Sequence, residues 1–243
     1  MEPSVLYSRE GHVGHIVLNR PAAGNAVDET LALQLGDICQ QVNGDAAVHV
    51  VTVTGAGADF CVGSAPGIFC PAASSLSGVE KPVIVIINGD ALGQGLELAL
   101  AGDIRLCAEG CYFGLPQLAR GLIPADGGTQ RLARTIGRSA ALEMILTAEN
   151  IDAAAALRLG LVSRVLPVAE LAGAAEALAR DIALSAPVPL RYIKEAVGEG
   201  LDLTLEQGLR LEADLYFLIH TTADRSEGIN AFRQKRRADF RGE

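Results

Sequence analysis

An α/β core with a helical C-terminal appendage is the fold class this sequence predicts, and three observations predict it. Short β-branched runs alternate with helical patterns over the first half, two glycine-rich turns follow strands, and the chain beyond Arg138 becomes alanine-rich and helical. The 243 residues are 49% apolar and 20% charged, which is enough to bury one sizeable core. The expected division is a β/α core over 1–187 and a helical region over 188–243, with a soft boundary near 185–190.

Each element follows from a local pattern. His15-Ile16-Val17-Leu18 reads as a strand stopped by Asn19-Arg20-Pro21, and Leu31, Leu35, Ile38 and Val42 recur as one apolar face of a helix. Val48 to Thr54 alternates as a second strand and ends at Gly55-Ala56-Gly57. Val83 to Ile87 is wholly apolar, as a strand buried on both faces should be, and ends at Asn88-Gly89. Leu96 to Leu100 opens a helix entered through Gly93 and Gly95, and Asp103 to Ala108 reads as another strand. Stretches 139–146, 152–159 and 169–184 are helical. Pro187 and Pro189 are expected to break the chain, a last helical segment to start near Thr204, and Gly228 to interrupt it. Ala72 to Gly78 reads as a small-residue loop, and the prolines from Pro66 to Pro71 disfavour a helix there.

Composition excludes several classes. A net charge of −9 gives a polyanion nothing to gather on, so no nucleic-acid partner is expected. The longest purely apolar run, Val83 to Ile87, is far short of the ~20 residues a membrane span needs. Met1-Glu2-Pro3-Ser4 is neither basic nor followed by an apolar run, and a cytoplasmic location is expected. Five cysteines (Cys39, Cys61, Cys70, Cys107, Cys111) are odd in number and apolar in context, which fits reduced thiols. Cys107 with Cys111, and His12 with His15, are short pairs that lack the further ligands of a closed zinc site. No metal is expected.

Two glycine-rich turns are the places where chemistry can sit: Gly55 to Ser64, and Asn88 to Glu97 at the entrance of a helix. The second is a poor dinucleotide fingerprint, because Leu98 stands where that motif wants a small residue. Ser64 lies outside any G-x-S-x-G elbow, which disfavours a hydroxyl nucleophile. A run of ordered segments then carries a resemblance. Lys81-Pro82-Val83-Ile84 to Asn88-Gly89, Ala91 to Ala99, Asp103-Ile104-Arg105, Phe113-Gly114-Leu115-Pro116, Gly121 to Pro124 and Gly127 to Leu132 resemble the signature of the enoyl-CoA hydratase/isomerase (crotonase) family. Leu18 to Pro21 with Asn25-Ala26, Gly160-Leu161-Val162, and Glu227 to Arg236 extend the likeness over nearly the whole chain.

The resemblance implies a crotonase-like β/α spiral core with a C-terminal trimerisation region, a homo-oligomer (trimer or hexamer), and an acyl-CoA thioester as substrate. Coenzyme A is then part of the substrate, and no separate cofactor is implied. It places an oxyanion hole at the backbone N–H groups of Ser64 and Gln94, where an enolate would be stabilised by preorganised donors. Gln94 stands where glycine is usual, so its side chain is expected near the thioester pocket. Glu97 matches the first glutamate with which hydratases position and activate water, while the second is replaced by Gln117, an amide that cannot exchange a proton near neutral pH. Two-glutamate hydration is therefore in doubt. Asp126 falls at or next to a functional aspartate of other family branches; its alternative is a turn residue capping the helix at Thr129-Gln130. Arg20, Val62, Phe232 and Lys235 match positions that approach the substrate or its coenzyme A part, the last two in the same or a neighbouring subunit. The function expected is a lyase or isomerase on an acyl-CoA thioester. Its alternatives are a decarboxylase or carbon–carbon bond enzyme of the same fold, or an inactive acyl-CoA-binding homologue.

Overall fold

The computed structural model describes residues 2–65 and 70–243. Strand β1 (Val5–Glu10) turns back at Gly11 onto β2 (Val13–Leu18), the antiparallel edge of a six-stranded sheet ordered β1-β2-β3-β4-β6-β9. Strands β3 (Val50–Gly55), β4 (Val83–Ile87), β6 (Ile104–Ala108) and β9 (Arg164–Leu166) all join it in parallel. Parallel neighbours need crossovers, and helix α1 (Glu29–Gly44) is the first. Its N-terminus is capped by Asp28, whose carboxylate accepts from the Leu31 N–H at 2.8 Å. Helix α2 (Ala72–Ser77) is the second crossover.

A second, smaller layer repeats alongside the first. Strands β5 (Ala91–Leu92), β7 (Tyr112–Gly114) and β8 (Ile151–Asp152) form a three-stranded sheet, and single bridges join Val27 to Ser64 and Cys61 to Ala91. Each pass through the large sheet thus continues into a short extended piece of the second layer and then into a helix, giving a spiral of β-β-α turns. Helix α3 (Gln94–Leu100) closes one such turn, and α4 (Gly128–Ile136), α5 (Arg138–Thr147) and α6 (Ala153–Arg158) follow. Helix α7 (Val168–Ala183) packs on the large sheet through Leu171, Ala175 and Ala179. The core between the layers holds Ile16, Leu31, Leu35, Phe60, Leu76, Ile84, Leu96 and Phe113, all fully buried.

The C-terminal quarter is helical: α8 (Pro187–Gly200), α9 (Leu205–Ile219) and α10 (Ala223–Gln234). Pro187 and Pro189 mark the break between α7 and α8, as expected, and they also open α8, since the first turn of a helix has no use for the N–H that proline lacks. Two local expectations are corrected here. Gly228 does not interrupt a helix; α10 runs through it, and the break falls before Thr222, whose hydroxyl caps the Arg225 N–H. The segment Ala72 to Gly78 is not a loop, because a partner distant in sequence caps it as α2, as described below. The expectation for Pro66 to Pro71 falls largely on residues 66–69, outside the described residues. Strand β1 carries no alternation strong enough to have been read in advance: its outer face is exposed and its register is set only by β2.

No helix among the described residues is long and apolar enough to cross a membrane. All five cysteines are free thiols, and Cys39, Cys61, Cys107 and Cys111 are buried, which pushes each of those four thiols up, to about 11 for Cys111 and about 12 for the others.

Candidate active site

The site lies where the two glycine-rich turns meet. The Cα of Gly63 comes within 3.6 Å of where a side chain on Gly93 would begin, and both residues have positive φ (115° and 55°), a conformation glycine adopts without strain. Ser64 is held from the other side: the Val27 N–H donates to Gly63 O at 2.9 Å and the Ala65 N–H donates to Val27 O at 2.8 Å. These bonds bracket Ser64, whose own N–H has no acceptor among the described residues. The Gln94 N–H, first in α3, also donates to no acceptor among the described residues. Two unpaired backbone donors thus stand on adjoining turns, one of them at a helix N-terminus that favours negative charge.

Glu97 lies one turn along α3 and is only 2% exposed. Its Oε1 accepts the N–H groups of Asp126 (2.7 Å) and Gly128 (2.9 Å), and its Oε2 accepts from Gln117 Nε2 at 3.2 Å. Burial raises its pKa above the ordinary carboxylate value; the two backbone donors and Arg131 pull the other way, and the nearby Asp126 adds to the rise. The result is a carboxyl fixed in orientation by the backbone with its second oxygen turned toward Gln117. Gln117 sits in a short 3₁₀ turn, Pro116–Arg120, and its Oε1 is sealed from solvent with no hydrogen-bond partner among the described residues.

Asp126 plays a part that neither reading of the sequence named. Its carboxylate accepts from Ala73 N (2.7 Å), Ser74 N (3.2 Å) and Ser74 Oγ (3.0 Å), so it caps α2 rather than the helix at Thr129-Gln130, whose start has no side-chain cap. Its fourth donor is Gln94 Nε2, at 3.1 Å. The Gln94 side chain is buried and also donates to Cys70 O, tying α3 to the chain just before α2. The residue that departs from glycine at position 94 therefore works as a strut between α3, Asp126 and the α2 segment. Asp126→Asn is expected to lower stability by about 1–2 kcal/mol, the usual cost of a weakened cap and a mismatched buried bond, with turnover nearly retained. Urea denaturation beside steady-state rates checks this, and a rate loss above a hundredfold at unchanged stability would instead put Asp126 in proton transfer.

Arg20 and Val62 flank the first turn. Val62 donates its N–H to Gly24 O and is partly exposed, and Arg20 pairs with Asp28 at 2.9 Å while donating to Ala26 O. The structure brings Arg20, Val62, Ser64, Gln94, Glu97, Gln117 and Asp126 into one region and leaves Phe232 and Lys235 out of it. Phe232 stands 85% exposed on α10, Lys235 ends that helix in a left-handed turn, and the described hydrogen bonds of α10 to other segments run to the C-terminal tail. Within the basic cluster, Arg236 forms a bidentate pair with Glu227, which it holds well below the usual carboxylate range.

Sequence reasoning assigned no role to Asn25 or Ser74. Asn25 is fully buried at φ 55° and joins the Arg20 N–H to the carbonyls of Ala56 and Asp59, so it fastens the Arg20 loop to the first glycine turn. Its signal was an asparagine inside a turn, a residue that tolerates left-handed backbone. Ser74 had none, lying in a run of small residues.

Comparison with known proteins places the fold in a family. The family model for enoyl-CoA hydratase/isomerase matches residues 68–243. The 2,3-dehydroadipyl-CoA hydratase of Escherichia coli is 38% identical over 255 aligned residues, covering 98% of each chain. The crotonyl-CoA hydratase of Syntrophomonas wolfei is 34% identical, over 98% of this chain and 97% of its own. The crystal structure of an enoyl-CoA hydratase from Bacillus anthracis superposes with a TM-score of 0.94 at 37% identity, covering 99% of this chain and all of that one. On sequence and on fold alike, the chain belongs to the enoyl-CoA hydratase/isomerase family.

Proposed function

We infer that the protein works on an α,β-unsaturated acyl-CoA thioester, with Ser64 and Gln94 N–H holding the thioester oxygen and Glu97 moving the proton. Family membership makes it an acyl-CoA-thioester enzyme of the enoyl-CoA hydratase/isomerase type. Coenzyme A enters as part of the substrate, with no separate cofactor. The observation that carries the reading is the pairing of N–H groups at Ser64 and Gln94, unused among the described residues, with a buried carboxyl, Glu97, one turn further along α3.

The chemistry follows from what these groups can do. Negative charge develops on the thioester oxygen when water adds at the β-carbon or when a proton leaves the α- or γ-carbon. Donors already aimed at that oxygen lower the barrier without reorganising. Glu97 as carboxylate takes the proton of the attacking water or of the carbon acid, and as carboxylic acid returns it to the enolate. Gln117 can orient the Glu97 carboxyl through its Nε2 but cannot supply a proton. Both proton steps of a hydration therefore fall to Glu97. The same feature favours a second reading, in which no water adds to the enolate's carbon chain: isomerisation, where Glu97 takes a proton from one carbon and returns it to another, or decarboxylation, where carbon dioxide leaves and solvent protonates the α-carbon.

A panel of short, medium and aromatic enoyl-CoA thioesters in deuterated water separates these readings. Hydration with α-deuterium incorporation is expected on the preferred substrate. Exchange without hydration selects the enolate-only reading, and no exchange on any member selects an inactive binder. Gln117→Glu restores a second acid and is expected to raise hydration about tenfold or more where proton supply limits the rate.

We also propose that the chain assembles as trimers or pairs of trimers. Leu205, Leu209, Tyr216 and Phe217 on α9 are more than half exposed, more apolar surface than an isolated helix pair leaves open to water. In such an assembly Phe232 and Lys235 would serve a neighbour's substrate. Sedimentation reads the assembly directly, and a stable monomer at micromolar concentration would sink it. The free thiols support a reducing, cytoplasmic location.

A further inference from the structure

Of the early histidine pair, His15 is the one that the fold places beside two carboxylates. His12 turns away to stack on His49, with ring centroids 4.1 Å apart, and its Nδ1 is engaged by Ala47 O. His15 lies on β2 opposite Ser8 of β1, which puts Glu10, two residues further along β1, diagonally beside it on the same face. Helix α7 packs over that face and brings Glu176 to it. One ligand atom from each of Glu10, His15 and Glu176 lies within 4.8 Å of the other two.

The hydrogen bonds around His15 decide which ring nitrogen is offered. The Thr52 hydroxyl donates to Gly14 O at 3.5 Å, so its oxygen is left to accept the Nδ1 proton of His15 at 2.9 Å. That tautomer leaves a lone pair on Nε2. Nε2 is sealed from solvent and has no hydrogen-bond partner among the described residues. A shielded, unpaired nitrogen is costly in a folded protein and calls for a partner. An imidazole whose other nitrogen is fixed by a hydrogen bond is how metal-binding histidines are oriented.

The carboxylates already attract a cation. Arg180 lies 2.9 Å from Glu176 and 3.8 Å from Glu10, on the same two groups that face His15. Its side chain is 62% exposed, so the pairing is weak and easily exchanged. We propose that Glu10, His15 and Glu176 bind a first-row divalent transition metal of the zinc class, with Arg180 holding the two carboxylates when the metal is absent. One imidazole and two carboxylates suit zinc, with water completing a tetrahedron. Metal–ligand bonds of about 2.0–2.2 Å set ligand atoms roughly 3.3 Å apart, so the cluster must draw in by at most about 1.5 Å. Glu10 is exposed enough to do so. The site joins β1, β2 and α7 on a face of the sheet that carries none of the residues assigned to catalysis, so the metal would brace the fold and take no part in turnover.

The test uses the full chain, dialysed against a chelator and titrated with zinc chloride by calorimetry and by melting temperature. The wild type is expected to bind one equivalent with a rise of several degrees. His15→Gln and Glu176→Gln should each weaken binding at least tenfold while keeping the metal-free melting temperature and the turnover, and Arg180→Ala should tighten it. Glu176 is half-buried and lies on a helix rather than in the sheet, so its variant keeps the test valid if His15→Gln folds poorly. Cobalt(II) gives a second readout, a visible absorption band present in the wild type and lost in both ligand variants. Equal titrations for the wild type and His15→Gln would overturn the proposal. So would binding that appears only in Arg180→Ala, which would make the arginine the permanent cation of this cluster.

Discussion

Glu97→Gln is expected to cut turnover by ~10²–10⁴ while leaving the affinity for a non-reacting acyl-CoA within a few-fold, because it removes a positioned proton carrier and little ground-state binding. The fold should tolerate the change. The new amide oxygen can still accept the N–H groups of Asp126 and Gly128, and the new NH₂ would meet Gln117 Nε2, which a flip of the Gln117 amide resolves by presenting its now unpaired Oε1. The pH behaviour follows from the raised pKa of Glu97, whose first cause is burial. Raising an acid's pKa on folding stabilises its neutral form. The stabilising contribution is whole below the unfolded value and is lost as pH rises through the folded one. The working carboxylate gains population only over that same rise, so the acid limb of the rate profile is shifted upward from that of an ordinary glutamate. Stability against urea at pH 8 should accordingly be equal or greater in Glu97→Gln than in the wild type. Turnover within tenfold of the wild type would remove Glu97 from the mechanism.

Gly95→Ala is expected to damage fold and site together. A Cβ at position 95 would lie 1.9 Å from Cys61 O and 2.6 Å from Cys61 C, and these are backbone atoms with no rotamer to change. Cys61 is itself pinned, its N–H donating to Asp90 O and its carbonyl accepting the Leu92 N–H at 3.0 Å. The added methyl must therefore push α3 away from the first glycine turn, which separates Gln94 from Ser64. Overpacking costs about 1–3 kcal/mol, and the upper end is expected against a rigid backbone. A displacement near 1 Å of one donor costs about a hundredfold in rate. Thermal melting gives the first effect, and kcat measured well below the variant's melting temperature gives the second. A variant with unchanged melting temperature and rate would mean that the spacing of the two turns does not matter to the site.

Some of this protein was legible in the order of its residues alone. The apolar run Val83 to Ile87 is β4, and the recurrence of Leu31, Leu35 and Val42 is the buried face of α1, because side-chain period and turn chemistry act over a few residues. Gly93 and Gly95 marked the entrance of α3, and with it the positions of Gln94 and Glu97. What only the tertiary structure decided is what these residues meet. Asp126 reads as a turn residue or an acid until α2, more than fifty residues earlier in the chain, is laid against it; the same contact turns a featureless run of small residues into a helix. The grip of Asp126 and Gly128 N–H on Glu97, the strut from Gln94 and the gathering of Glu10 and Glu176 about His15 likewise join segments from separate turns of the spiral. Local patterns specify the strands and helices of each turn. Which turn lies against which is set by sheet order and by burial of the shared core, and a buried polar group acquires its role only from the partner that this stacking delivers.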